Sequence, residues 1–163
     1  MKILGIDPGI ATTGYGIIEN KGSNLCLVDY GCIITSPKMS AAERLNKLFN
    51  ELSALIKKKK PDEVAIEELF FAKNVKTAMT VSQARGVIVL SCIRSGMKVI
   101  NEYTPLEVKM ALVGYGRAEK TQVQKMVTTL LSLKEIPKSD DAADALAVAV
   151  CHFNSRISNL YKL

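Results

Sequence analysis

The N-terminal third of the chain has short apolar segments separated by turn residues. Residues 2–7, 13–20 and 25–35 are rich in Ile, Leu, Val and Tyr, and "PG" and "NKGSN" fall between them. Segments of this length and composition predict β-strands, and such short connections predict an antiparallel meander.

The spacing becomes helical after residue 38. Over residues 39–60 the apolar side chains recur every three or four positions, with Ser40 as the expected N-cap and Pro61 ending the helix. The residues predicted on the apolar face are Leu45, Leu48, Phe49, Leu52, Leu55 and Ile56.

The second half of the chain alternates strands and helices. Thr104 and Glu107 are spaced as a capping box, with Pro105 at the first helical position. Segment 87–93 is equally compatible with a buried helix and a strand. The predicted strands are 63–69 and 98–103, and the predicted helices are 75–86, 104–114, 118–133 and 139–157. Alternation of this kind predicts parallel strands with crossover helices, so the expected α/β fold is a mixed five-stranded sheet with helices on both faces.

Composition sets the class of protein. The chain has 163 residues, 48% hydrophobic and 23% charged, which predicts one globular domain spanning residues 1–163. The apolar run "ALAVAV" is too short for a membrane span, and the N-terminal run breaks at Asp7, unlike a signal peptide. We therefore expect no membrane association and a cytoplasmic location.

Charge and cysteine content narrow the chemistry. The formal net charge of +6 and pI of about 9.1 favour a polyanionic partner such as nucleic acid. Cys26, Cys32, Cys92 and Cys151 lack zinc-finger or redox spacing and are expected to be free thiols. With His152 as the sole histidine, a zinc site and a Ser-His-Asp triad are not expected.

Carboxylates stand at the ends of two predicted strands. Asp7 ends the first strand, before Pro8, and Glu67 and Glu68 end the fourth. Singly, Asp7 could shape a turn, and one glutamate is expected to face solvent because alternate strand residues point to opposite faces. If the two strands are neighbours, Asp7 and one glutamate end close together.

The last helix begins with further carboxylates. Asp140 and Asp141 suit a helix N-terminus, where negative charge is favourable. Asp144 lies one turn later among alanines, which indicates close packing against the sheet. Both the 141/144 and the 140/144 pairs share a helix face, so spacing alone does not choose between them.

Converging carboxylates need a counter-ion, or some must remain protonated. Oxygen ligands without His or Cys favour Mg²⁺ or Mn²⁺ over zinc. Two such ions about 4 Å apart support phosphodiester hydrolysis, and the basic excess elsewhere is suited to a nucleic-acid backbone. The hypothesis is a metal-dependent nuclease.

Five segments of the chain also resemble the RuvC family of bacterial Holliday-junction resolvases, in the order and spacing of that family. They are "GIDPGIATTGYGII", "AIEELFFAKN", "QARG", "VGYGRAEKTQVQKMV" and "DAADALAVA". The resemblance implies an RNase H-like fold and a homodimer. It also implies Mg²⁺-dependent nicking of two like strands of a four-way DNA junction, in recombination and repair, with a branch-migration helicase complex as partner.

The resemblance also implies site residues. It assigns the catalytic and metal-binding acids as Asp7, Glu67, Asp141 and Asp144, leaving Glu68 and Asp140 as bystanders, although Asp140, next to Asp141, could substitute for it.

For DNA binding the resemblance implies Phe70, Lys109 and Lys120, for which a core phenylalanine and solvated surface lysines are the structural alternatives. Phe71 competes with Phe70 for the junction contact. The apolar segment 87–93 is a candidate dimer surface, with buried core as the alternative.

Three other functions are compatible with parts of the sequence. "DPGIATTG" also resembles the phosphate-binding hairpin of actin-like ATPases, but those proteins need a second nucleotide-binding domain, for which the chain is too short. "GYGRAEKT" is close to a Walker loop, but Glu119 stands where that loop needs glycine. An RNase H-like nuclease acting on RNA would use the same metal chemistry. A junction-binding module with a decayed site is disfavoured by the full set of acids.

Overall fold

One mixed sheet forms the centre of the protein. The computed structural model describes residues 1–22, 24–68 and 75–160, and in these residues five strands pair in the order β3-β2-β1-β4-β5. The strands are β1 (Lys2–Asp7), β2 (Thr12–Lys21), β3 (Asn24–Ile34), β4 (Glu63–Glu67) and β5 (Ile100–Tyr103). β1 is antiparallel to β2 and parallel to β4, and β5 is parallel to β4. This confirms the predicted meander followed by parallel strands.

Helices cover both faces of the sheet, as predicted. They are α1 (Ala41–Lys59), α2 (Val75–Arg94), α3 (Pro105–Val113), α4 (Lys120–Leu130) and α5 (Asp140–Leu160). Buried residues of α1 and α2 pack with Leu4, Ile6 and Ile66 on one face, and those of α3, α4 and α5 pack with Ile3 and Ile18 on the other. No helix in the described ranges is long and apolar enough to span a membrane.

Two predicted N-caps are present. Ser40 Oγ accepts a hydrogen bond from the Glu43 amide at 3.3 Å, and Thr104 Oγ1 accepts one from the Glu107 amide at 3.2 Å. Each glutamate carboxylate in turn accepts a hydrogen bond from the cap residue's amide, which completes a capping box. These starts were predictable because the interacting groups are three residues apart.

Tertiary packing settles the ambiguous segment 87–93, which belongs to a helix. α2 continues to Arg94, with Ile88 and Cys92 buried and Leu90 and Ile93 more than half exposed. The segment is therefore both core and exposed apolar surface. Several predicted bounds were wrong by two or three residues, since β4 ends at Glu67, β5 begins at Ile100, α4 covers only Lys120–Leu130 and α5 reaches Leu160.

Glycines in β1 and β2 let α5 approach the sheet closely. A Cβ on Gly5 would lie 2.1 Å from the Ala145 carbonyl oxygen, and one on Gly14 would lie 2.0 Å from the Asp141 carbonyl oxygen. Gly14 is also the register partner of Asp7 across β1 and β2. The absence of side chains at these positions is thus what brings the first turns of α5 beside the end of β1.

His152, predicted as an ordinary helix residue, is 4% exposed and links α5 to two strands. Its Nδ1 is 2.8 Å from Tyr103 Oη and its Nε2 is 2.7 Å from Glu63 Oε2. Glu63 begins β4 whereas Glu67 ends it, and Tyr103 is the register partner of Glu67, so this polar cluster extends from the far end of β4 toward the acids described next.

Candidate active site

Three elements bring acidic side chains to one edge of the sheet. Asp7 ends β1 and Glu67 ends β4, and the parallel register pairs Ile6 with Ile66 immediately before them. Asp141 lies in the first turn of α5 and Asp144 in the second. The predicted convergence of Asp7 and Glu67 required β1 and β4 to be neighbours, and they are.

The carboxyl groups perturb one another. Burial, followed by the charges of Glu67 and Asp144, raises the pKa of Asp7 to about 8, and the charge of Asp141 contributes further. Burial also raises the pKa of Glu67, which is hydrogen-bonded to Asp7. The carboxyl pair therefore retains a proton near neutral pH, with Asp7 as the protonated partner.

A cavity of about 210 Å³, here called the Glu67 cavity, lies next to this pair. Glu67, Asp144, Lys109 and Lys120 are in its wall, together with Pro105, Val108, Val123 and Ala147. Two of the predicted acids and both predicted DNA-binding lysines thus meet in one place, although they come from four different elements.

Lys120 provides the counter-charge for the inner acid. Its Nζ is 2.8 Å from Asp144 Oδ2 and 3.4 Å from Asp140 Oδ2. Burial lowers the pKa of Lys120, but Asp144 and then Asp140 oppose this and leave the pKa above its usual value. Burial raises the pKa of Asp144, and the Lys120 ammonium counteracts that increase.

Asp141 lies in the wall of a separate cavity of about 680 Å³, here called the Tyr30 cavity. Its other wall residues include Thr12, Tyr30, Lys138 and Ser139. Asp141 and Asp144 thus face different cavities, although the charge of Asp141 still acts on both Asp7 and Asp144.

Among the described residues, no three His, Cys, Asp or Glu side chains are arranged to hold a metal ion. The contacts explain why: the Asp7 and Glu67 carboxyl groups bind each other, Asp144 binds Lys120, and Asp141 faces the Tyr30 cavity. A proton and an ammonium group satisfy the charges that a metal would otherwise neutralise. The all-oxygen donor set suits a hard divalent cation, provided that these side chains turn toward it.

The acids predicted as bystanders have other surroundings. Glu68 is exposed, and its amide donates a hydrogen bond of 2.7 Å to the Tyr103 carbonyl oxygen. Asp140 contacts Lys120 and also accepts a hydrogen bond of 3.0 Å from Gln124 Nε2. Phe70 and Phe71 lie outside the described residues.

Sequence reasoning missed this contact between α4 and α5. Lys120 and Gln124 are four residues apart, so they share a face of α4, but nothing in the sequence indicates that this face meets Asp140 and Asp144. The sequence does show a basic residue at the start of a helix, Lys120, and a polar residue one turn later, Gln124. This pattern could have indicated a polar contact on that face of α4.

Comparison with known proteins identifies the family. The family model "Crossover junction endodeoxyribonuclease RuvC" matches residues 3–152. The chain belongs to the RuvC family. The relative from Caldicellulosiruptor saccharolyticus, which carries that same name, is 59% identical over 163 residues, covering 99% of this chain and 98% of the relative.

Solved RuvC structures share the fold. The Thermus thermophilus RuvC structure matches with a TM-score of 0.88 and 35% identity, covering 97% of each chain. T. thermophilus RuvC in complex with a Holliday junction substrate matches with a TM-score of 0.92 and 34% identity, covering 98% of this chain and 96% of that one. Both the predicted family and the predicted RNase H-like fold are confirmed.

Proposed function

We propose that this chain is a metal-dependent endodeoxyribonuclease that resolves four-way DNA junctions and acts as a single nuclease domain over residues 1–163. The observation that carries the proposal is the convergence of Asp7, Glu67 and Asp144, from three separate elements, beside a cavity that also contains Lys109 and Lys120. Membership of the RuvC family, whose T. thermophilus member has been captured on a Holliday junction, supports the choice of DNA substrate.

Asp7, Glu67, Asp141 and Asp144 are the residues proposed to hold the metal. Their carboxylate oxygens favour Mg²⁺, with Mn²⁺ as a substitute. Two such ions held by these carboxylates would supply an activated water and charge neutralisation for the departing 3′-oxygen of the cleaved phosphodiester.

The protein's own groups prepare this site. Asp7 must release the proton that it shares with Glu67 before both carboxylates can serve as ligands. Asp144 must likewise exchange the Lys120 ammonium for a metal. Lys109 and Lys120 then bind phosphate oxygens of the strand to be cut, and the net charge of +6 strengthens binding in a salt-dependent manner.

Paired nicks in two like strands require two active sites. The side of α2 away from the core exposes Met79 (64%), Leu90 (52%) and Ile93 (56%), an apolar surface suited to contact with a second copy of the chain. The proposal includes a homodimer formed through this surface, since twofold symmetry would present the two sites to opposed strands.

Three further properties implied by the RuvC resemblance belong to the proposed function. Phe70 would contact the junction centre, a branch-migration helicase complex would be the protein partner, and the cytoplasm, where bacterial DNA lies, would be the place of action. None of them is needed for the chemistry at the acids.

A cleavage assay tests the proposal. Purified protein is mixed with a labelled four-way DNA junction, linear duplex and structured RNA, with and without Mg²⁺. We expect symmetric nicks in the junction alone, only with Mg²⁺, and we expect Asp7→Asn to keep junction affinity while losing cleavage. Cleavage of RNA but not of the junction would favour the RNA nuclease, and junction binding without cleavage would favour the decayed module.

A further inference from the structure

The Lys120 ammonium lies between an inner and an outer carboxylate. Asp144, at 2.8 Å, has a side chain that is 28% exposed, whereas Asp140, at 3.4 Å, has one that is 68% exposed. The inner carboxylate is a proposed metal ligand, and the outer one is close to solvent. Lys120 can therefore move toward Asp140 without losing all carboxylate contact.

Gln124 fixes the orientation of the outer carboxylate. Its Nε2 donates a hydrogen bond of 3.0 Å to Asp140 Oδ1, which leaves Oδ2 for Lys120. Gln124 is 9% exposed and lies one turn after Lys120 on α4, so its amide group has little freedom to leave. An exposed ion pair without such support contributes little, but here the carboxylate is oriented in advance.

A divalent cation and Lys120 compete for Asp144. The ammonium occupies the carboxylate that the cation needs, and two cations at the same carboxylate repel each other. We propose that Asp140 and Gln124 are positioning residues: they retain the Lys120 ammonium beside the Glu67 cavity when a divalent cation takes Asp144. This inference rests on the proposed function, because it requires a metal at Asp144.

Two other roles for Asp140 make different predictions. As a direct metal ligand, or as a negative charge that attracts cations to the start of α5, Asp140 would act whether or not Lys120 is present. As a positioning residue it acts only through Lys120. A double-mutant cycle between the two residues separates these cases.

The test measures Mg²⁺ binding to the full chain without DNA, by titration calorimetry. With Lys120 present, we expect Asp140→Asn to weaken Mg²⁺ binding about three- to tenfold, which is in the lower part of the range of coupling between contacting residues because Asp140 is exposed. Lys120→Met removes the competing ammonium and should strengthen Mg²⁺ binding. The control is Glu135→Gln, which removes a carboxylate from the wall of the Tyr30 cavity. In the Lys120→Met background, Asp140→Asn should change Mg²⁺ affinity no more than this control does.

Gln124→Met provides a test without a change in net charge. It removes the hydrogen bond to Asp140 and keeps an unbranched helical side chain, so we expect a smaller loss of Mg²⁺ affinity that also disappears in the Lys120→Met background. Thermal melts of each variant verify that it folds. Equal losses with and without Lys120, or no loss from Asp140→Asn, would overturn the positioning role.

Failure of the proposed function has a different signature. Asp144→Asn removes the shared carboxylate and should weaken Mg²⁺ binding more than any other variant in the series. If it leaves Mg²⁺ binding unchanged, or if the wild-type chain binds no Mg²⁺, the proposed metal site is wrong and this inference fails with it. A metal site that depends on Asp144 but not on the Lys120–Asp140 pair overturns the inference alone.

Discussion

Replacing Asp7 by asparagine should stabilise the metal-free protein while abolishing cleavage. The pKa of this carboxyl is raised from 3.8 to about 8, chiefly by burial and by the neighbouring carboxylates. Between these two values the unfolded chain releases the proton and the folded chain keeps it. Stability of the wild type therefore falls as pH rises through this window and levels off above about 8.

The size of the effect follows from the same values. About three pH units separate 3.8 from pH 7, and each corresponds to about 1.4 kcal/mol, so the cost at pH 7 approaches about 4 kcal/mol. Because the side chain is partly exposed and can relax, we expect Asp7→Asn to gain about 1 to 4 kcal/mol at pH 7. The asparagine amide can still donate a hydrogen bond to Glu67, so the substitution replaces a neutral carboxyl group that must hold a proton with a neutral group that need not.

Urea denaturation in the presence of a chelator measures this difference. The gain should be small at pH 4 and should grow up to pH 8, whereas the control Glu68→Gln, at an exposed carboxylate of the same strand end, should change the free energy of unfolding much less at pH 7. Saturating Mg²⁺ should raise the free energy of unfolding of the wild type by about 2.7 kcal/mol when its concentration is a hundred times the dissociation constant. The same Mg²⁺ concentration should stabilise Asp7→Asn much less. A metal-free variant no more stable than the wild type at pH 7 to 8 would refute the reasoning.

Four further predictions concern packing, DNA binding and assembly. Gly14→Ala places a Cβ 2.0 Å from a backbone carbonyl oxygen of α5, so it should lower the free energy of unfolding by about 1 to 3 kcal/mol in denaturant titrations and reduce cleavage. The control Gly86→Ala has open space around its Cβ and should raise the free energy of unfolding by up to about 1 kcal/mol. Lys109→Gln should weaken junction binding and lower the slope of log affinity against log salt by about one, and an unchanged slope would remove Lys109 from the phosphate contacts. Leu90→Asp should convert a dimer into monomers in sedimentation experiments and replace paired nicks with single ones, and a stable variant dimer would place the interface elsewhere. His152→Leu removes the hydrogen bonds that join its buried ring to Tyr103 and Glu63, so it should cost about 1 to 3 kcal/mol in the same titrations, without a change in the metal dependence of cleavage.

Interactions between residues close in sequence were predictable from the sequence. The capping pairs at Ser40 and Thr104 and the apolar face of α1 depend on contacts three or four positions apart, so their pattern is legible in the sequence. The acids at the strand ends and at the start of α5 were also predictable, because each one lies next to the apolar pattern that marks its strand or helix. The family resemblance, which spans nearly the whole chain, added the choice among them.

Tertiary structure decided what depends on distant residues. Segment 87–93 is equally apolar as strand or helix, and packing against α1 made it helical. Spacing allowed either Glu67 or Glu68 to face the site, and the placement of the sheet leaves the first half-buried in the wall of the Glu67 cavity and exposes the second. The pairing of Lys120 with Asp140 and Asp144 joins residues about twenty positions apart on two helices, and no local pattern encodes how those helices pack. Short-range contacts are recorded in residue spacing, whereas a pocket assembled from β4, α3, α4 and α5 exists only once the core has brought these elements together.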